Sequence, residues 1–101
     1  MKNMRSMFQG SCFTGDLSGW DVSHVIVMQC MFQGTLFDGD ISGWDISNVS
    51  DMSGMFLDSQ FKGDISSWNL KPNCAINYMF TRCDIPDNHK PKRLQILNHD
   101  N

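Results

Sequence analysis

The run Phe37-Asp38-Gly39-Asp40-Ile41-Ser42-Gly43-Trp44-Asp45-Ile46-Ser47-Asn48-Val49-Ser50-Asp51-Met52-Ser53-Gly54-Met55-Phe56 contains landmarks that recur through the whole 101-residue chain. Its Met-Phe pair stands at Met7-Phe8, Met31-Phe32, Met55-Phe56 and Met79-Phe80, a constant step of 24 residues. Trp20, Trp44 and Trp68 keep that step, as do Phe13, Phe37 and Phe61, and Gly15-Asp16, Gly39-Asp40 and Gly63-Asp64. Met4, Met28 and Met52 follow, with Ile76 in the fourth copy. Several columns in one phase mark a repeat architecture, in which a short unit buries its apolar side only by stacking on its neighbours.

Within one unit, Val49, Met52, Met55 and Phe56 stand at i, i+3, i+6 and i+7, which predicts one face of a two-turn helix. Ser47 or Asn48 is placed to cap it, and Asp51 suits its first turn. Ile41 between Asp40 and Ser42 shows a period of two, resumed out of phase by Trp44 and Ile46 after a bend at Ser42-Gly43. A strand of two to four residues is expected there, since Asp and Gly form strands poorly. Stacking would pair these strands in parallel at about 4.8 Å.

The spaced signature Phe37-x-Gly39-Asp40-Ile41-Ser42-x-Trp44-Asp45-Ile46-Ser47-Asn48-Val49-x-Asp51-Met52-x-x-Met55-Phe56 resembles the BspA-like leucine-rich-repeat surface proteins, in the branch with Trp-Asp-Val-Ser and Met-Phe signatures. The likeness spans roughly residues 1–83. It implies a right-handed solenoid at the cell surface or secreted, a role in adhesion, no catalytic residues and no obligatory cofactor. The expected fold is therefore α/β: a leucine-rich-repeat-like solenoid with one very short parallel strand and one short helix per 24-residue coil. It would occupy residues 1–84 as about four repeats, the first and last incomplete, with a closing segment at 85–101.

In phase, Met1 falls on the column of Val25 and Val49, so the chain is expected to begin inside a helix, as a truncated product or a piece of a longer array would. The open first coil is a potential site of self-association. The fourth copy decays at Asn69 and at Lys71-Pro72-Asn73. Residues 84–93 read as a polar loop containing the basic run His89-Lys90-Pro91-Lys92-Arg93, and residues 94–97 as a last extended piece, with Leu94 in the column of Leu70. No apolar stretch reaches the ~18 residues of a membrane span, so membrane insertion is not expected, and no apolar run follows Met1-Lys2-Asn3-Met4-Arg5, so these residues are not expected to be a signal peptide. A net charge of −3 argues against a nucleic-acid partner.

Cys12, Cys30, Cys74 and Cys83 lack metal-ligand spacing and share no column, which predicts free thiols. The Asp16, Asp40 and Asp64 column stacks like charges. Either a hard cation or hydrogen bonding to turn N–H groups and to Ser18, Ser42 and Ser66 would offset the repulsion, and the second is favoured. The Trp column is either an exposed aromatic strip or core, and core or core edge is favoured. These residues lead to a non-catalytic binding or adhesion module with no cofactor and no metal. Its contact surface would be the strand face bearing Asp16, Ser18, Asp40, Ser42, Asp64 and Ser66, and its partner a protein or cell-surface ligand. The alternative is a structural spacer without a ligand of its own.

Overall fold

A computed structural model describes residues 3–92 and 94. The 24-residue register exists in space. Phe8, Phe32, Phe56 and Phe80 form one column with successive ring centroids 5.7, 5.7 and 5.6 Å apart and nearly parallel planes. Phe13, Phe37 and Phe61 form a second column at 6.3 Å spacing. Residues 24 apart therefore lie over one another in successive layers. Met28, Met31, Phe32, Val49, Met52, Met55 and Phe56 are fully buried between them.

The expected α/β solenoid of strands and helices is overturned. Among the described residues the regular structure amounts to a 3-10 turn at Asp87–His89, the helical positions Lys92 and Leu94, and the isolated parallel bridges Asn3↔Val27, Val27↔Asp51 and Asp51↔Ala75. The reason lies in how each layer allots its backbone N–H groups. In the Met-Phe segment, the N–H groups of Met28, Cys30, Phe32 and Gly34 reach across to the carbonyls of Asp51, Ser53, Met55 and Leu57 at 2.9–3.0 Å. The intervening N–H groups of Met31, Gln33 and Thr35 close four-residue turns on Met28, Cys30 and Phe32. The same alternation links residues 4–10 to 27–33 and residues 52–58 to 75–81. An N–H committed to the next layer cannot serve an α-helix, whose bonds run from residue i to i−4.

Two residues per layer also adopt left-handed φ, which ends any right-handed helix. One column is Ser6, Cys30, Gly54 and Tyr78, and the other is Gly10, Gly34, Asp58 and Arg82, all with φ between 54° and 69°. Left-handed φ at the third position is what a type II turn requires. Consecutive turns thus present Met52, Met55 and Phe56 inward at the spacing that predicted a helix face.

The strand expected around Ile41 is absent because aspartate takes its backbone. The Ser42 N–H donates to Asp40 Oδ1 at 3.0 Å, and the Trp44 N–H closes a turn on the Ile41 carbonyl at 3.2 Å. Side chains of this kind compete directly with sheet bonding. The few bridges fall elsewhere, at the column of Asp51. Likewise Asp51 accepts from the Ser53 N–H at 2.9 Å and caps no helix.

The tryptophans tie layers together. The indole N–H of Trp44 donates to the Leu17 carbonyl at 3.0 Å, and that of Trp68 to the Ile41 carbonyl at 3.1 Å. Both rings are buried, whereas Trp20 in the first layer is 38% exposed. Phe-x-Gly-Asp also has a packing cause. A Cβ on Gly39 would lie 2.8 Å from the Phe37 ring, which folds back over that glycine.

The segment read as a polar loop is docked on the last layer. The Ile65 N–H donates to the His89 carbonyl at 2.9 Å, and His89 Nδ1 lies 2.8 Å from the Lys62 carbonyl. Ile85 and Pro91 are buried. Lys90 bonds to Asp87 at 3.1 Å and lies 5.5 Å from the centre of the Phe80 ring. The extended piece expected at 94–97 is corrected at its described residue: Leu94 is helical, its N–H turned back onto the Pro91 carbonyl, and it packs against the core; residues 95–97 lie outside the described residues.

Candidate binding surface

The six residues singled out from the sequence come together as one repeated motif, though on turns and not on a strand. Leu17, Ile41 and Ile65 point into the core at 0–2% exposure. The flanking Asp16, Ser18, Asp40, Ser42 and Asp64 are exposed, and Ser66 is half-buried. In each copy one carboxylate oxygen accepts twice from the serine two residues on. Asp16 Oδ1 takes the Ser18 N–H at 2.9 Å and its hydroxyl at 2.7 Å. Asp40 with Ser42 gives 3.0 and 2.7 Å, and Asp64 with Ser66 gives 3.0 and 2.6 Å.

These bonds fix the ionised form. The Ser18 and Ser66 hydroxyls and N–H groups hold Asp16 and Asp64 below the usual carboxylate range. The Ser42 N–H, then its hydroxyl, does the same for Asp40, against a small opposing repulsion from Asp16. Donors aimed at a carboxylate stabilise its charge. The stacked charges are thus offset by turn N–H groups and hydroxyls. Among the described residues no three His, Cys, Asp or Glu side chains converge into a metal-holding group.

A second ladder, not singled out as a site from the sequence, runs alongside. Asp21 Oδ1 accepts from Ser23 at 3.0 and 2.6 Å, and Asp45 Oδ1 from Ser47 at 3.1 and 2.6 Å. Both aspartates are held low by the same serine bonds. Its signal was the Asp-x-Ser spacing itself, which recurs at Asp21-x-Ser23 and Asp45-x-Ser47, where Ser47 was read as a helix cap. Asn48 Nδ2 crosses from this ladder to the Ser23 carbonyl of the preceding layer at 2.7 Å.

The layers thus carry exposed carboxylates whose orientation is set by bonds within each turn. Their chemistry is that of acceptors and negative charge. Between two layers, Asp38, Asp40, Ser42, Lys62 and Asp64 border an open cleft of about 430 Å³. Asp38 helps shape it by accepting the Lys62 N–H at 2.8 Å. Cys12, Cys30 and Cys83 are free thiols, and Cys12 is exposed. Cys83 donates to the Phe61 carbonyl at 3.2 Å, and burial pushes its thiol up. No described helix is long and apolar enough to cross a membrane.

Compared with known proteins, residues 1–91 match the model of one family, described as Mycoplasma protein of unknown function, DUF285. No curated protein and no solved structure matches the chain.

Proposed function

From the premise that the chain belongs to the DUF285 family, we propose that it is a non-catalytic binding module of a surface protein, engaging a protein partner through its Asp–Ser turn face. That family is one of Mycoplasma surface proteins built on repeats. The likeness to BspA-like surface proteins supports an adhesive role at the cell surface, without the leucine-rich-repeat fold. The observation that carries the reading is the ladder Asp16, Asp40 and Asp64, with each carboxylate oriented by its own serine. A surface ordered before contact loses less entropy on binding. Its charge selects partners with basic patches, and such contacts weaken with salt.

The test separates charge from folding. Asp16→Asn, Asp40→Asn and Asp64→Asn combined keep an oxygen acceptor for each turn and delete three charges. Wild-type chain is expected to be retained on a panel of immobilised extracellular-matrix and host-membrane proteins, and the triple variant to be retained at least tenfold less. Equal retention of both would remove this face from the function. Absence of retention for either would favour the spacer reading, which has its own support in the way each Asp–Ser pair satisfies itself.

A further inference from the structure

One stretch of the outer wall carries no charge. From Val25 to Phe37 the chain has no Asp, Glu, Lys or Arg. Met28, Met31, Phe32 and Thr35 of this second layer are buried. Ile26 and Leu36 stand at the two ends of its outer side, 42% and 53% exposed, with Gln29, Cys30 and Gln33 half-buried between them. Layers on both sides hold this stripe in place. The Val27 and Gln29 carbonyls accept the Met4 and Ser6 N–H groups of the first layer at 2.8 and 2.9 Å. The Ile26 and Thr35 carbonyls accept the Ser50 and Gln60 N–H groups of the third at 2.8 and 3.1 Å. Large aliphatic side chains kept outside on a fixed, uncharged surface mark a contact site.

Charge decides what can cover it. Elsewhere the coils expose Asp16, Asp21, Asp40, Asp45 and Asp64, so copies of this chain repel one another through those turns. The flanks of the stripe carry opposite signs. The first layer brings the exposed Arg5 and the third brings Asp51 and Asp58. A two-fold axis running along the stripe lays it on its equivalent and sets the first layer of each copy against the third layer of the other. Arg5 then lies across from the Asp51 end of the wall, twice over. Leu36 meets Leu36, and Ile26 meets Ile26. A two-fold axis along the stack would instead turn Asp51 towards the second copy's Asp58, which charge disfavours.

We propose that the Ile26–Leu36 stripe is the contact surface of a two-fold dimer, with the Arg5 layer of each copy against the Asp51 layer of the other. Such a contact uses one patch on both copies and closes on itself. The Asp–Ser turns stay outside it, so the dimer presents two sets of them.

The experiment is sedimentation equilibrium of the full chain over a concentration series. The mass is expected to rise from 11.5 kDa to a plateau at twice that value. Leu36→Glu and Leu36→Lys each set like charges across the axis at an exposed position and are expected to be monomeric. An equimolar mixture of the two is expected to regain the dimer, because the introduced charges then oppose one another. Arg5→Glu, facing Asp51, is expected to weaken the wild-type dimer at least tenfold. Circular dichroism and cooperative melting establish that each variant is folded. A wild-type chain that stays at 11.5 kDa at all concentrations overturns the proposal, as does growth beyond two copies. Dimers of either Leu36 variant alone, a mixture that stays monomeric, or an unchanged dimer in Arg5→Glu also overturn it.

Discussion

Replacing Phe56 by alanine should cost the fold far more than the same change at Phe8, although the two residues occupy one column. Phe56 is fully buried and touches four rings: Phe32 at 5.7 Å, Phe61 at 4.5 Å, Phe80 at 5.6 Å and Trp68 at 6.4 Å. Emptying such a site costs about 3–5 kcal/mol from lost transfer and the residual cavity. Ring pairs add about 0.5–1.5 kcal/mol each, which puts this site at the upper end of that range. A domain of this size has about 5–15 kcal/mol in all, so the variant would stand near the limit of folding. Phe8 has a ring on only one side of its column, at Phe32, and is partly buried. Its truncation should cost roughly half as much, about 1.5–2.5 kcal/mol. Urea titration followed by tryptophan fluorescence reads the difference as a shift in midpoint at constant slope. Should Phe56→Ala fail to fold, Phe56→Leu keeps an apolar filler and should still cost about 1–2 kcal/mol. Equal costs at the two positions would refute the layered column, since only stacking makes one phenylalanine interior and the other terminal.

Gly39→Ala should destabilise by about 1–3 kcal/mol, because its Cβ meets a Phe37 ring held between Phe13 and Phe61, whereas Gly43→Ala meets nothing within 4 Å and should be neutral or better; thermal melts compare the two. Trp44→Phe should lose about 1–3 kcal/mol by leaving the buried bond to the Leu17 carbonyl unmade, while Trp20→Phe, whose indole donates to no described residue, should lose less than about 0.5 kcal/mol in the same assay. Acid should weaken the fold through Asp16, Asp21, Asp40, Asp45 and Asp64. Their folded values lie below the unfolded ones, so their contribution is complete above the ordinary carboxylate range and is lost as pH falls through the lowered values. Melting temperature should therefore drop below about pH 4, and substituting all five by asparagine should flatten that drop.

The register was fully legible in the sequence, because identical residues 24 apart need no knowledge of local conformation to be aligned. The Phe columns, the burial of Trp44 and Trp68, and the bonding of Asp40 to Ser42 all follow from it. Local conformation was not legible. Met52, Met55 and Phe56 fit a helix face, and consecutive turns produce the same spacing. The distinguishing signal is a pair of left-handed positions per layer, and only Gly10, Gly34 and Gly54 show it as glycine. Cys30, Tyr78, Asp58 and Arg82 hide it, since nothing about those residue types announces a left-handed backbone. The strand failed for a different reason: Asp40 was correctly read as a poor strand former, yet its side chain removes the strand altogether by bonding the Ser42 N–H.

Those left-handed positions show where the stability of this fold resides. A non-glycine residue in that region costs about 1–2 kcal/mol, and five of the eight positions are not glycine. An isolated layer could not hold such a backbone, since its four-residue turns offer one modest bond apiece. What compensates is the neighbouring layer, which supplies four backbone bonds in the Met-Phe segment, an indole bond and two stacked rings at a complete interface such as that between Phe32 and Phe56. Cohesion therefore runs between layers rather than within them. The first described layer has its strain offset from the side of the second. Met7 and Trp20, exposed in the first layer where Met31 and Trp44 are buried in theirs, mark the same imbalance, which makes the stability of the chain depend on how many layers are stacked.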